Sequence, residues 1–236
     1  MKIALCSLAI GEHFKDEVRY GIIGKKIYCY KHSYSFRDDE DVYDTSRPIA
    51  WSKINLALKC LNEKDNEGNN KFDYVVWMDA DTNIMDFEHK LEDFIHRLMD
   101  GMDVMVAQDF KEINTGVIFI KNTEWSKMFL NYVYSLTEFL NYSHWEQDAI
   151  IHIYENRLIE CHSHIKRLYC LQSREFNPYY QVYRYGDFLI HFAGCFRDGK
   201  THGLGHMMNM FCPLKMDIDS EADYQQRLKF IKNWDG

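Results

Sequence analysis

The segment Asp73–Met78 (DYVVWM) is the most constraining stretch of this 236-residue chain. It is a short apolar run, rich in β-branched and aromatic residues, and it stops abruptly at Asp79-Ala80-Asp81. A run of that length is a buried strand of a parallel sheet, because both of its faces are apolar. A strand of this kind presents its following residues at its carboxyl edge. Ligands of open α/β sheets sit at that edge.

The surrounding pattern supports such a sheet. Lys2–Ala9 reads as a first strand, Phe14–Lys26 as a helix and Ile27–Lys31 as a second strand. Trp51–Leu61 is an amphipathic helix, and Phe87–Met99 is helical by spacing. Strands are expected over Asp103–Ala107, Val117–Lys121, Arg167–Leu171 and Phe188–Phe192, and helices over Trp125–Leu140, Gln147–Tyr154 and Leu228–Trp234. Asn114-Thr115-Gly116 is expected as a turn into a strand. Alternating elements of this kind give an α/β fold with a mostly parallel sheet flanked by helices. The length suits one domain over 1–236, read as two halves, 1–110 and 111–236.

Composition narrows the function. The net charge of −8 argues against nucleic acid as the main partner, since phosphate-backbone binding needs a basic footprint. An acidic chain that binds an anionic cofactor needs a local cation. The seven cysteines include no CxxC and fit a reducing compartment. No apolar run is long enough to span a bilayer, so no membrane segment is expected, and the chain reads as cytoplasmic or unanchored. Aromatics make up 15% of residues, and Tyr179, Tyr180, Tyr183 and Tyr185 are candidates either to stack on a ring-shaped ligand or to serve as packing residues.

Two carboxylates one residue apart at a strand end can reach one hard cation, and Mn²⁺ and Mg²⁺ are commonly shared between carboxylates and diphosphate oxygens. The same D-x-D opens haloacid-dehalogenase phosphatases, but those need Thr or Val two positions after the second Asp, where this chain has Asn83. Cys161, His162 and His164, or His202 and His206, lack the spacing of a structural zinc site.

Short segments resemble glycosyltransferase family 34 in that family's order. They are Tyr30-Lys31-His32-Ser33-Tyr34, Trp51-Ser52-Lys53, Val76-Trp77-Met78-Asp79-Ala80-Asp81, Asn114-Thr115-Gly116 with Ile120-Lys121-Asn122 and Trp125-Ser126, and His191-Phe192-Ala193-Gly194-Cys195. Glu146-Gln147-Asp148 falls where the family has Asp-Gln before a helix. The resemblance implies a GT-A (Rossmann-like) fold, a nucleotide-sugar donor (a UDP-sugar before a GDP-sugar), Mn²⁺ or Mg²⁺, and a retaining transfer to a glycan or glycoprotein. It implies Asp79, Asp81 and His191 as metal ligands. Ser7, Leu8, Tyr30, Lys53, Ala80, Arg197 and Lys200 would contact the donor, the last two because Phe196 stands where the family often has Lys. Gln108, Asp109, Asn114, Thr115, Gly116 and Gly194 would line the sugar pocket. Gln147 would lie beside the anomeric carbon, flanked by Glu146 and Asp148. The alternative is a catalytically weak nucleotide- or carbohydrate-binding protein of the same fold. Since family members are usually Golgi-anchored, a Golgi location would require an anchor removed from this chain.

Overall fold

A computed structural model describes residues 1–109, 112–169, 175–195 and 203–213. The expected helix at Leu228–Trp234, Leu171 at the end of an expected strand, and Arg197, Lys200 and His202 lie outside the described residues. The central sheet has six strands. They are β1 (Ile3–Cys6), β2 (Ser35–Arg37), β3 (Tyr74–Met78), β5 (Val104–Gln108), β6 (Ile113–Lys121) and β7 (Ile165–Tyr169), in the order β2-β1-β3-β6-β5-β7. Only β6 is reversed; it pairs antiparallel with β3 and β5, while the other pairings are parallel. The expected mostly parallel α/β sheet is thus present.

Helices cover both faces, and period-2 alternation assigns each strand residue to one of them. Ala4, Cys6, Val75, Trp77, Val104, Val106, Ile118 and Ile120 face α2 (Ser52–Asn62), α4 (Glu124–Ser135) and α5 (Glu146–Glu155). Ile3, Leu5, Val76, Met78, Met105 and Phe119 face Tyr28 of α1 (Glu12–His32) and Phe94 of α3 (Leu91–Leu98). The near-continuous apolarity of YVVWM follows from this double coverage.

The expected second strand at Ile27–Lys31 is the last part of α1, a helix of 21 residues. Val18, Gly21, Lys25 and Tyr28 recur at helical spacing on its buried face. The short run IYCYK is ambiguous alone, and the tertiary packing of Tyr28 against Phe188 decides it. Ser33 ends the helix in the left-handed region, with φ 60°. The strand follows at Ser35–Arg37.

Two further elements carry consequences for the site. β4 (Thr82–Ile84), not anticipated from the sequence, pairs antiparallel with β8 (Leu189–His191) in a separate two-stranded sheet, with Thr82 opposite His191. α6 (Leu204–Met210) packs against α1, where Gly21 lets Met208 approach: a Cβ there would meet Met208 Cε at 2.6 Å.

Arg37, at the end of β2, ties the next loop down through Asp39 and Glu63, and Lys59 joins Asp39 at 2.9 Å. The Arg37 hydrogen bond, helped by Lys59, lowers the Asp39 carboxyl to about 2. A carboxyl depressed on folding adds stability above its unfolded value that is lost as pH falls through its folded value. Wild type is therefore expected to exceed Asp39→Asn by about 1 kcal/mol near neutrality, a partly exposed pair. The gap should close between roughly pH 4 and pH 2, as read by urea denaturation across pH.

Candidate active site

Asp79 and Asp81 follow β3, and His191 ends β8. One ligand atom from each lies within 4.8 Å of the others. His191 Nε2 is 3.5 Å from an Asp81 oxygen and 3.9 Å from one of Asp79. The two-stranded pairing of Thr82 with His191 brings them together, with Phe192 N–H donating to Asp81 O at 2.9 Å.

The orientation of the imidazole follows from a chain of hydrogen bonds. Gly116 N–H donates to Asn114 Oδ1 at 2.9 Å, which identifies that atom as oxygen. Asn177 must then offer its NH₂ to Asn114 Oδ1, at 2.8 Å. Its carbonyl oxygen therefore faces His191 Nδ1, at 2.9 Å, so Nδ1 carries a proton and Nε2 is turned to the carboxylates. Asn177 is buried and was missed by sequence reasoning; no short motif marks it.

Gly116 has a specific reason to be glycine. A Cβ there would lie 2.1 Å from His191 Cε1. The expected turn at Asn114-Thr115-Gly116 is instead part of β6, where the register with β5 jumps from Val106↔Ile118 to Ala107↔Asn114. The extra residues form a bulge. It presents Gly116 O to Asp79 N–H at 2.7 Å and lets the imidazole lie on the strand.

Lys53, on α2, is buried, with 6% of its side chain exposed. Its ammonium meets Asp79 at 3.1 Å, Glu146 at 2.8 Å and Thr115 O at 3.1 Å. Burial acts to lower its pKa, and Asp79 and Glu146 outweigh that, leaving it above the ordinary lysine value. The ammonium of Lys53, expected to contact the donor, is engaged by these oxygens. Trp77 Nε1 also donates to Asp79 Oδ1, at 2.6 Å. Burial raises the Glu146 carboxyl above its usual range, with Lys53 opposing, and Glu146 Oε2 has no partner among the described residues. For Asp81, burial acts upward, and His191 and Lys25 together bring it below the usual range. Lys25 is fully buried on α1 and donates to Thr82 O at 2.8 Å, beneath the acidic turn. Burial depresses it to about 7.

Other predicted residues fall around this centre. Gln147 Oε1 accepts from Thr115 N–H at 3.0 Å, joining α5 to the bulge. Asn114 donates to Tyr179 Oη at 2.6 Å, and that hydroxyl donates to Asp109 Oδ2 at 2.5 Å. Gln108 Oε1 is buried with no partner among the described residues. Ser7 and Leu8 are buried beyond β1, Ala80 O faces Lys25 at 3.4 Å, and Gly194 is an exposed loop residue with φ 76°. Two predicted residues do not join. Tyr30 is 90% exposed on α1, because that segment is helix. Asp148 turns back to accept from His144 N–H at 2.9 Å, as a carboxylate in the first turn of a helix favours. Of the four candidate tyrosines, Tyr183 is buried, Tyr180 stacks on Phe192, and Tyr185 is exposed. Cys161, His162 and His164 each bond elsewhere, to Ile153 O, Tyr154 O and Asp103.

The fold is that of solved glycosyltransferases. A glycosyltransferase involved in the glycosylation of the major capsid of PBCV-1 superposes with a TM-score of 0.67 at 14% identity, over 89% of this chain and 100% of that one. GlyE of Streptococcus pneumoniae superposes at 0.58 and 10% identity, over 98% of this chain and 64% of that one. The fold class is therefore GT-A. The model of the galactosyl transferase GMA12/MNN10 family matches residues 94–202, which include the Asn114 and His191 segments. An uncharacterised alpha-1,2-galactosyltransferase of Schizosaccharomyces pombe is 25% identical over 216 residues, covering 76% of this chain and 56% of the relative. The probable alpha-1,6-mannosyltransferase MNN10 of Saccharomyces cerevisiae is 25% identical over 182 residues, covering 61% and 45%. The chain thus spans about half the length of the curated relatives it matches. Among the described residues, no helix is long and apolar enough to cross a membrane.

Lys53→Met would leave Asp79 and Glu146 facing each other without a cation. A loss of about 3–5 kcal/mol is expected in urea denaturation, as for other broken buried pairs. Adding Glu146→Gln in the same chain should recover part of it. Gly116→Ala is expected to cost about 1–3 kcal/mol by overpacking against His191, read as a fall in melting temperature.

Proposed function

We propose that this chain is a retaining glycosyltransferase, moving a hexose, deoxyhexose or pentose from a nucleotide-diphosphate sugar to a glycan or glycoprotein. UDP is the preferred nucleotide and Mn²⁺ the preferred metal. The observation that carries this reading is the convergence of Asp79, Asp81 and His191, with Nε2 turned to the carboxylates by Asn177. Two hard oxygen donors and one imidazole nitrogen fit a divalent cation such as Mn²⁺. That cation, when bound, would neutralise charge developing on the departing diphosphate.

The chain's own groups would do the rest. Asp79 would keep one oxygen for the cation while the other is held by Lys53 and Trp77. Gln147, anchored through its carbonyl to Thr115, keeps its amide NH₂ to donate toward the donor sugar. Glu146 Oε2, buried and unpartnered among the described residues, would accept from a sugar hydroxyl in the same pocket. Among the described residues no free carboxylate is poised as a nucleophile beside Gln147: Glu146 is tied to Lys53, and Asp148 to His144 N–H. This favours front-face transfer, in which the leaving phosphate takes the acceptor's proton.

Thermal denaturation with UDP, GDP and their sugars, with and without Mn²⁺, tests the donor site by mass action. A UDP-dependent rise of the midpoint that needs Mn²⁺ and is absent in Asp81→Ala is expected. The absence of any nucleotide response would turn the reading to a carbohydrate-binding protein of the same fold. Gln147→Ala is expected to lower kcat by about 10²-fold with the nucleotide response retained, as for loss of one oriented polar group. Wild-type turnover in that variant would remove Gln147 from the mechanism.

A further inference from the structure

His144–Gln147 form a tight turn closed by Gln147 N–H donating to His144 O at 3.0 Å. Trp145 occupies its first central position, with φ 50° and ψ −117°. That is the geometry of a type II′ turn, where glycine is the ordinary residue because a Cβ is strained there. A bulky side chain at positive φ is a true outlier, and such strain collects at functional sites. The fold gains little in return. The Trp145 side chain is 42% exposed, and the indole has no ring contact or hydrogen bond among the described residues. The next two residues, Glu146 and Gln147, are the ones that reach Lys53 and Thr115 at the centre of the site.

We propose that Trp145 is the platform on which the pyranose ring of the acceptor stacks. A pyranose offers an apolar C–H face and a rim of hydroxyls. An exposed indole matches the face, and its free N–H can donate to the rim. Planar polar groups flank it: the half-exposed imidazole of His144 and the Asp148 carboxylate, 3.4 Å apart. Asp148 keeps acceptor capacity for a sugar hydroxyl beyond the bond to His144 N–H. This assignment places the ring contact at the start of α5. It rests on the transferase reading only for calling the bound sugar an acceptor.

The test uses the whole chain with UDP and Mn²⁺ present, titrated with methyl β-galactoside, methyl α-mannoside, methyl β-xyloside and lactose. Indole fluorescence and saturation-transfer NMR report binding. At least one sugar is expected to bind wild type. Trp145→Gly should weaken it by about ten-fold or more, and Trp145→Phe by no more than about three-fold. Trp145→Gly should melt no lower than wild type, since it relieves the turn. The proposal is overturned if no sugar of the panel binds wild type, if Trp145→Gly binds as wild type does, or if Trp145→Gly melts several degrees lower. The nucleotide-dependent midpoint shift, measured on the same samples, separates the two readings. Sugar binding lost in Trp145→Gly without any nucleotide shift keeps the platform and removes the donor site. A nucleotide shift without sugar binding does the reverse.

Discussion

The ammonium of Lys53 is the contact on which the site depends. It joins α2 to Asp79 after β3, to Thr115 in β6 and to Glu146 at the start of α5. A buried cation shared by two carboxylates resolves an electrostatic conflict that the backbone topology creates, because β3 and α5 deliver acids to the same place. Without it, either acid would have to take a proton or the elements would separate. With it, Asp79 has one oxygen fixed and one turned to Asp81 and His191. The same lysine therefore links the packing of the sheet to the metal-binding geometry.

The bulge in β6 has a comparable role at the backbone level. A regular strand would place a side chain against the imidazole of His191. The extra residues, with glycine at 116, open that space and supply a carbonyl to Asp79 N–H. Asn114 then serves twice, receiving the Gly116 amide and orienting Asn177, which in turn fixes the tautomer of His191. Lys25 supports the opposite side by holding Ala80 O and Thr82 O from α1. The acidic turn is thus clamped by two buried lysines on opposite layers, which pre-organises its carboxylates at a cost in desolvation.

The turn at Trp145 shows the converse case, a place where the sequence departs from what the fold would favour. Several local oddities in the site are answered by a partner: glycine 116 by His191, Asn177 by Asn114, Lys53 by two acids. Trp145 has no answering group among the described residues, and it is 42% exposed. Strain without internal compensation places the benefit outside the chain.

Much of this was legible in the chain itself. The run DYVVWM ending in Asp79-Ala80-Asp81 determined a buried strand with an acidic edge, since apolar side chains on both faces admit no other neighbours than covering helices. Asp79, Asp81 and His191 could be named as one set because short motifs around them resemble a family in order and spacing. What only tertiary structure decided are the contacts between segments distant in sequence. Ile27–Lys31 became helix because Tyr28 packs on Phe188, 160 residues away. Lys53 became an internal clamp because α5 brings Glu146 to it. Asn177 entered the site through the bridge between Tyr179 and His191, a pairing with no local signature. Periodicity and motif report what each segment can bury or bind; which charges and carbonyls meet in the interior depends on long-range packing, and there the electrostatics of burial assigned the roles.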